Sequence, residues 1–301
     1  MKKQKFLTLI ILCIAAVFFC SSCDIIDDFL NYDLDNDKRP ADLLVSHYID
    51  VGQGDSEFIE FPNGETMLID AGVYDAGATV TNYISSLGCT KIDYLVATHP
   101  HSDHIGGMRA VIDKFDIGTV YMPKVENNTY SYEKLLKSIK NKGAKIKNTK
   151  AGTNIMKSDA FEISVDALAP SGSKYDSLNN YSIVIRIKYK DNTLLYMGDA
   201  ETLSEGEILK KYPDLKADVI KVGHHGSSSS SSQALVDAVK PEYAIFSLAK
   251  NNDYHHPHKQ VTERWKKSGA KLYRTDQCGT ITVTSDGTEI SITTEKNQGA
   301  S

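Results

Sequence analysis

Three histidines and one aspartate occur within six residues of this chain, at His99, His101, Asp103 and His104. Imidazole and carboxylate groups are the ligands that zinc and similar divalent cations prefer in proteins. Because His99 and His101 are two positions apart, both point to one side of an extended backbone. The spacing predicts that these two residues hold one ion and that Asp103 and His104 hold another. The alternative, a histidine-rich surface loop, does not require this ligand spacing.

A rigid element must position these ligands, because a metal site depends on side chains held in a fixed orientation. The apolar run 92–98 predicts a buried strand that ends directly before His99. After the ligands, Gly106 and Gly107 predict a bend of the chain before a helix. The ligands are therefore predicted to lie in a tight loop at the end of a strand.

The remaining pattern predicts an α/β fold with two sheets. Short apolar or alternating runs, bounded by glycine, proline and asparagine, are typical of strands. Strands are predicted at 43–51, 57–61, 66–70, 161–169, 182–189, 193–197, 218–222 and 243–247, with one more between two helices before about residue 142 and three short strands after residue 268. Further helices are predicted at 77–87, from about residue 201 and at 258–268. Helices outside two sheets indicate a four-layer αββα sandwich in one domain over residues 41–295, followed by a tail at 296–301.

Further ligands are needed to complete two metal sites, and they are expected at other strand ends. Asp199 follows an apolar strand, and a buried carboxylate needs a partner or a cation, so we predict that it bridges the two ions. The alternative is that Asp199 caps the helix predicted to start near Glu201. His224 and His225 end another predicted strand. One of them is predicted to be a ligand and the other to face the ligands or the substrate, and the sequence does not separate them.

Two more predictions concern residues around the ligands. Asp70 ends a predicted strand, and we expect its carboxylate to orient a ligand histidine. His256 lies in the histidine-rich loop 251–258, which either lines the cleft or is an ordinary polar surface loop.

The N-terminal segment predicts export. Residues 1–22 combine early lysines, an uncharged apolar run at 6–19 and small residues before Cys23, which is typical of a signal peptide. The run is short for a membrane span, so an uncleaved anchor is the weaker alternative. The end of the segment resembles a bacterial lipobox, which implies a lipid anchor on Cys23, but Cys20 departs from that pattern. We therefore predict an exported protein, either a lipoprotein that contacts the membrane only through Cys23 or a secreted protein, with an acidic tether at 23–40.

The charge balance bears on possible partners. Without residues 1–22 the chain loses three lysines and keeps 31 basic and 39 acidic residues, a net charge of −8. Proteins that bind duplex nucleic acid tightly are usually basic. The segment 114–150 is the exception, with nine lysines and three acidic residues. It either binds a polyanion or, as we favour, forms the solvated face of a helix whose apolar stripe is Leu135, Leu136 and Ile139.

Residues 99–107 resemble the signature of the metallo-β-lactamase superfamily. Within this superfamily, other stretches resemble the hydrolase domain of the competence protein ComEC: 50–55, 179–182, 198–201, 221–227, 252–257 and 273–276. The resemblance covers nearly the whole chain after residue 43, without the channel-forming membrane segments of the full competence protein.

The resemblance implies an αββα fold and two divalent metal ions. The family's ligand positions correspond here to His99 and His101 for the first ion, Asp103 and His104 for the second, Asp199 as the bridge, and His224 or His225 as the late ligand.

One departure from the family pattern concerns the first ion. Typical lactamases and glyoxalases carry another histidine between the loop and the bridge, and this chain has none between Ile105 and Gly198. Asn179 or Asn180 stands near the expected place, as in the competence-type branch. An amide oxygen or a water is a harder and weaker donor than imidazole. Because imidazole suits zinc and oxygen donors suit manganese, the predicted ions are either zinc or manganese.

These ligands predict a hydrolase that uses a water activated between two ions. We expect Asp103 or Asp199 to accept the proton of that water, and His224, His225 or His256 to stabilise the developing charge. The favoured substrate is a phosphodiester, in particular extracellular nucleic acid. The alternatives are an activity similar to that of phosphorylcholine esterases on cell-surface polymers, and a metal-stabilised binding module without turnover. The sequence indicates no oligomeric state.

Overall fold

The computed structural model describes residues 42–296. The predicted signal peptide, the lipid anchor at Cys23, the acidic tether and residues 297–301 of the predicted tail lie outside the described residues. Within residues 42–296, none of the helices has the length and apolar character needed to span a membrane.

The described chain builds two sheets in succession and then returns to the first. The first sheet receives β1 (Leu44–Tyr48), β2 (Glu57–Glu60), β3 (Thr66–Ile69), β4 (Lys91–Val96), β5 (Asp116–Met122) and β6 (Lys145–Asn148). The second sheet consists of β7 (Thr153–Ser158), β8 (Ile163–Ala167), β9 (Ile185–Tyr189), β10 (Asn192–Tyr196), β11 (Val219–Lys221), β12 (Tyr243–Phe246) and β13 (Lys271–Arg274). The last two strands, β14 (Ile281–Ser285) and β15 (Ile290–Thr294), join the first sheet beside β1.

Each sheet is mixed, with a parallel half that approaches the predicted ligands. In the first sheet β3, β4, β5 and β6 are parallel neighbours, and in the second sheet β10, β11, β12 and β13 are. The carboxyl ends of parallel strands meet at one edge of a sheet, where ligands of α/β proteins commonly bind. The predicted metal ligands follow strands of these parallel halves.

Helices cover the outer face of each sheet. They are α1 (Gly77–Ser86), α2 (Ser102–Ile105), α3 (Met108–Lys114) and α4 (Tyr130–Lys142) in the first half of the chain, and α5 (Thr202–Lys211), α6 (Gln233–Val239), α7 (Lys259–Lys267) and α8 (Thr275–Cys278) in the second. One apolar core lies between the sheets, and one lies between each sheet and its helices. The four-layer αββα prediction is confirmed.

Helix α4 shows how the lysine-rich segment folds. It begins where the Thr129 hydroxyl accepts a hydrogen bond from the Tyr132 amide, and it ends at Gly143 in the left-handed conformation. Leu135 and Ile139 are buried against the first sheet, while Leu136, predicted to belong to the same stripe, is 37% exposed. The lysines at 137, 140 and 142 are exposed, as expected for the solvated face of an amphipathic helix.

Two strands were not predicted from the sequence pattern, β6 and β7. All four residues of β6 are exposed at the edge of the first sheet, so no apolar alternation marks it. Strand β7 has an irregular register with β8 between Asn154 and Met156, which interrupts the two-residue period. Pairing with a neighbouring strand, rather than local pattern, defines both strands.

Candidate metal centre

The predicted ligands converge from strand ends of both sheets. Asp70 follows β3 and His99 follows β4 in the first sheet, whereas Asp199 follows β10 and His225 follows β11 in the second. These side chains are buried at the junction of the sheets. The site therefore depends on how the two sheets pack.

The loop after β4 has the predicted geometry. His99 Nε2 lies 2.9 Å from His101 Nδ1, so these two imidazoles face each other on one side of the chain. Asp103 and His104 lie on the short helix α2. His104 is fully buried, while the Asp103 side chain keeps 28% of its surface exposed. Asp103 and His101, both partly exposed, are thus the predicted ligands of this loop that reach solvent.

Four predicted ligands form one compact group, Asp103, His104, Asp199 and His225. Each of the four residues has one possible ligand atom, and these four atoms all lie within 4.8 Å of one another. His104 Nε2 is 3.2 Å from Asp199 Oδ2, and His225 Nε2 is 3.4 Å from Asp103 Oδ2. The group combines two imidazoles and two carboxylates, a donor set that suits a divalent cation.

Unsatisfied polar atoms test whether this group fits a metal ion. Asp199 Oδ1, His104 Nε2 and His225 Nε2 are buried and have no hydrogen-bond partner within residues 42–296. Leaving buried polar atoms unpaired is costly, and native structures rarely do so without a bound water or ion. Because the three atoms belong to one group, a cation bound there would satisfy all of them. The residues fit a divalent metal ion.

Asp199 is the centre of this arrangement. Its Oδ2 lies 3.9 Å from His99 Nε2 and 3.7 Å from His224 Nε2, in addition to its contact with His104. Its amide donates to the Ser182 hydroxyl at 3.1 Å. The alternative in which Asp199 caps α5 is wrong, because the residue at the cap position is Glu201. The carboxylate faces both the His99 pair and the four-ligand group, as a bridging ligand requires.

The two neighbouring histidines after β11 have different surroundings. His225 Nδ1 donates to the Ser247 carbonyl at 2.9 Å, which leaves Nε2 directed at the four-ligand group. His224 is more exposed, and its Nδ1 lies 3.0 Å from the Ser229 hydroxyl. Both residues have left-handed backbone, with φ of 49° and 53°, which is strained for a residue with a Cβ. The geometry favours His225 as the ligand and places His224 beside the bridge.

Asp70 lies behind His104, as predicted. His104 Nδ1 donates to Asp70 Oδ2 at 2.7 Å, and Asp70 also accepts hydrogen bonds from the Thr98 amide and hydroxyl at 2.9 and 2.6 Å. Such a carboxylate fixes the orientation and tautomer of a ligand histidine, so that Nε2 is the free donor.

Sequence reasoning missed a buried ion pair, Asp55 with Lys221. Both side chains are fully buried, and Lys221 Nζ also lies 3.4 Å from the Gly198 carbonyl, next to Asp199. Asp55 Oδ1 is 3.2 Å from His225 Nδ1. A lysine inside the apolar run 219–222 was the available signal, because a buried lysine needs an anionic partner.

The pKa values of the group show that it favours positive charge. Burial lowers the pKa of His104, but the carboxylates of Asp199 and Asp70 outweigh burial and raise it well above the usual range. Burial likewise lowers the pKa of His225, but Asp199 and Asp55 raise it to about 10. Burial raises the pKa of Asp199, yet the imidazoles of His104 and His225 hold it well below its usual range. Carboxylates that stabilise protonated imidazoles also attract a metal cation.

Asn179 and Asn180, near the position where the family pattern has another histidine, make different contacts. Asn180 Oδ1 accepts hydrogen bonds from the Glu201 and Ser204 amides, both at 3.3 Å, which fixes the start of α5. Asn179 Nδ2 lies 3.4 Å from His224 Nδ1, and its Oδ1 is buried without a hydrogen-bond partner within the described chain. Asn179 is therefore the asparagine next to His224 whose side-chain oxygen has no hydrogen-bond partner within the described chain.

The loop 251–258 lines the site through His256. Its ring centroid lies 5.6 Å from that of His224 and 6.3 Å from that of His225. Burial, followed by the nearby charges of His225 and His224, lowers the pKa of His256 to about 4. The loop 251–258 thus brings His256 to the rim of the ligand group, next to His224 and His225.

The role of Gly106 and Gly107 differs from the prediction. Both have ordinary right-handed backbone, so they do not form a bend that only glycine can adopt. A Cβ at Gly107 would collide with the Ala71 carbonyl, and one at Gly106 with the Tyr74 amide. The glycines are needed because the helix after the ligand loop packs directly against another backbone segment.

Comparison with known proteins agrees with this fold. The sequence matches the metallo-β-lactamase superfamily over residues 49–250, which is more than half of the chain. The protein therefore belongs to the metallo-β-lactamase superfamily.

Two relatives and one solved structure extend the comparison. The chain is 32% identical over 250 residues to ComE operon protein 3 of Bacillus subtilis and 33% identical over 234 residues to competence protein ComA of Neisseria gonorrhoeae. The matches cover 77% of this chain in both cases, but only 32% and 31% of those proteins. CmlA, a diiron β-hydroxylase from Streptomyces venezuelae, is 17% identical with a TM-score of 0.54, over 79% of this chain and 53% of its own, which shows a shared fold.

Proposed function

We propose that the protein is an exported, metal-dependent phosphodiesterase whose substrate is extracellular nucleic acid. The observation that carries this proposal is the convergence of Asp103, His104, Asp199 and His225, three of which present buried atoms without a hydrogen-bond partner in the described chain. Similarity to a protein named for competence supports nucleic acid as the substrate.

We infer two divalent ions, either zinc or manganese, with Asp199 shared between them. His99 and His101 would hold the first, and Asp103, His104 and His225 the second. When bound, such ions supply charge stabilisation for a phosphoryl oxygen and lower the pKa of a water molecule. Asn179, beside the bridge, would occupy the place where other members of the superfamily carry a histidine.

The protein's own residues would then perform three tasks. Asp70 and the Ser247 carbonyl hold His104 and His225 with Nε2 directed at the ligand group. Asp103, the partly exposed carboxylate, accepts the proton of the attacking water. His256, at the rim of the ligand group, donates a hydrogen bond to the negative charge that develops on the phosphoryl group.

The charge distribution favours short or single-stranded nucleic acid over long duplex. The net charge of the chain is −5, and tight duplex binding needs an extended basic surface. Exposed lysines of α4 and β6 provide the local positive charge that the sequence indicated. Asn127 Nδ2 donates to the Pro100 carbonyl at 2.9 Å, so the loop before α4 contacts the ligand loop.

Metal content and hydrolysis of the purified full chain test this function. We expect bound zinc or manganese, loss of hydrolysis on chelation, and recovery when one of these metals is restored. Substrates are single-stranded DNA, bis-p-nitrophenyl phosphate and p-nitrophenyl phosphorylcholine, and we expect turnover of the first two. Turnover of the third alone indicates a phosphorylcholine esterase. If chelation lowers the melting temperature but no substrate is turned over, the protein is a binding module.

A ligand variant and a matched control sharpen the test. Asp103→Asn removes one ligand and the proposed proton acceptor, so both metal content and hydrolysis fall. Asp113→Asn makes the same change on the exposed surface of α3, and we expect it to leave both unchanged. Full metal content and full activity in Asp103→Asn, or in His101→Ala, would contradict the proposed centre.

Membrane anchoring is tested separately. If residues 1–22 are removed and Cys23 carries a lipid, the protein is found in the membrane fraction, and Cys23→Ala moves it to the soluble fraction. A wild-type protein found in the culture medium indicates simple secretion instead.

A further inference from the structure

A polar cavity of about 950 Å³ adjoins the metal centre. It lies between the loop after β12 and the region of β13 and α8, and His256 belongs to its wall. The same His256 ring lies 5.6 Å from the ring of His224, so this side chain is shared between the cavity wall and the rim of the ligand group. Its volume is in the range of small-ligand pockets, roughly 300–1,000 Å³.

The charged residues of the cavity wall are mainly basic. Lys250, Arg274 and Lys296 line it, and Asp276 is the one acidic residue among those that do. Lys296 Nζ lies 3.6 Å from Asp50 Oδ2 and Arg274 pairs with Asp276, so the positive charge that these pairs leave is that of Lys250, together with the unused donors of Arg274. The other lining residues are polar except for Pro257, so the wall suits an anion rather than an apolar ligand.

Arg274 is held in a defined orientation. Its Nε and Nη2 donate to the two carboxylate oxygens of Asp276 at 2.9 and 2.7 Å. A bidentate pair of this kind fixes the guanidinium plane and uses only part of its donors. Arg274 can therefore present its remaining N–H groups to an anion with little loss of conformational freedom.

The opposite wall is also fixed before any ligand binds. Asn252 Nδ2 donates to the Ala249 and His256 carbonyls at 3.0 and 2.7 Å, and its Oδ1 accepts from the His256 amide at 2.9 Å. His255 has left-handed backbone with φ of 57°, a strained conformation that neighbouring contacts must maintain. The loop that carries Lys250 and His256 is thus held in place by specific contacts.

We propose that this cavity is a subsite for a phosphate group of the substrate adjacent to the one that is hydrolysed. The inference rests on the proposed function and names its substrate class: a chain with at least two phosphates, such as an oligonucleotide, rather than an isolated diester. Lys250 and Arg274 are the specificity residues, since they contact the neighbouring phosphate and not the reacting one.

Two substrates separate this subsite from the metal centre. For Lys250→Gln and Arg274→Gln we expect KM for a short single-stranded oligonucleotide to rise about tenfold, the effect of losing about one charge-assisted hydrogen bond. We expect kcat/KM for bis-p-nitrophenyl phosphate to be unchanged, because that substrate has one phosphate. Lys216→Gln, an exposed lysine that does not line the cavity, is the matched charge control and leaves both substrates unaffected.

Salt dependence and direct binding complete the experiment. Each variant should reduce the slope of log affinity against log salt by about 0.7 for a labelled oligonucleotide, the value for one lost phosphate contact on a single strand. The subsite is overturned if both substrates are affected equally, if neither is, or if Lys216→Gln has the same effect. Arg274→Gln leaves Asp276 without its partner, so if this variant fails to fold, the exposed Lys250→Gln carries the test.

Failure of the proposed function gives a different result. If the wild-type protein hydrolyses no phosphodiester, the phosphodiesterase proposal fails, and fluorescence anisotropy of the labelled oligonucleotide still measures the subsite. Weaker binding by Lys250→Gln than by Lys216→Gln then supports the subsite, and no oligonucleotide binding by the wild type overturns it.

Discussion

The two sheets contribute to the metal centre in different ways. The first sheet supplies four predicted ligands from one short segment, 99–104, directly after β4. The second sheet supplies Asp199 after β10 and His225 after β11, with His256 on the loop after β12. One half of the site therefore comes from residues that are adjacent in sequence. The other half comes from separate segments that the order of the strands in the second sheet brings together.

The two halves also differ in how their side chains are held. His101, which precedes helix α2, has ordinary extended backbone with φ of −82°. His224 and His225 have left-handed backbone, and His225 depends on the Ser247 carbonyl and on Asp55, both distant in sequence. Strained residues persist only where the surrounding structure fixes them. In the first half the left-handed residue is Asp70, with φ of 56°, which lies behind the ligands, whereas in the second half it is a predicted ligand itself.

The largest expected effect is at Asp199, where the two halves meet. Asp199→Asn weakens the link between the His99 pair and the four-ligand group, so metal content falls at both positions. We expect hydrolysis to fall by about 10³-fold, because metal ions contribute several kcal/mol of charge stabilisation and 1.36 kcal/mol is tenfold in rate. Metal analysis and kcat/KM measure this, with Asp113→Asn as control. Retention of one full equivalent of metal would show that the halves bind independently.

Substitution of Lys221 tests whether the ion pair between the two halves stabilises the fold. Lys221 lies on β11 of the second sheet and pairs with Asp55 of the first, whose amide contacts the Asp103 carbonyl at 3.3 Å. Lys221→Met removes the lysine partner of the buried Asp55 carboxylate and should lower the free energy of unfolding by about 3–5 kcal/mol. Chemical denaturation measures it. Lys271→Met, which breaks an exposed ion pair with Glu242, should cost less than about 1 kcal/mol. Equal effects would contradict a special role for Lys221.

A smaller effect is expected in the first half alone. Asp70→Asn removes the carboxylate that orients His104, and such changes typically lower metal affinity about 10–100-fold. Titration with a competing chelator measures the affinity of each ion. We expect the affinity for one ion to fall more than the affinity for the other. An affinity unchanged for both ions would mean that packing alone orients His104.

The smallest expected effect on metal binding is in the second half of the site. It distinguishes the roles of the neighbouring residues Asn179 and Asn180. Asn179→Ala removes a buried side-chain oxygen near His224. It should lower the affinity for one ion by about tenfold, with little change in the free energy of unfolding. Asn180→Ala removes three hydrogen bonds at the start of α5, two from backbone amides and one to the Glu201 carboxylate, and should lower the free energy of unfolding by about 1–3 kcal/mol. Metal titration and thermal unfolding of both variants provide the comparison. The reverse result would exchange the two roles.

Much of the fold could be predicted because its strands are short apolar runs with clear boundaries. The strand before His99 was predicted at 92–98 and lies at Lys91–Val96. The exposed edge strand β6 could not be found this way, since burial is what creates an apolar pattern and none of its residues is buried. The Asp55–Lys221 pair was also missed, because its members are far apart in sequence and meet only across the two sheets.

The sequence by itself determined the kind of chemistry. Three imidazoles and a carboxylate in one short loop after a strand indicate a metal site without any tertiary information, because their spacing follows from local backbone geometry. Only the tertiary structure decided which distant residues lie around it: His225 within the four-residue group, Asn179 rather than Asn180 next to His224, and a polar cavity beside His256. Those choices depend on the packing and register of two sheets, which no local pattern records.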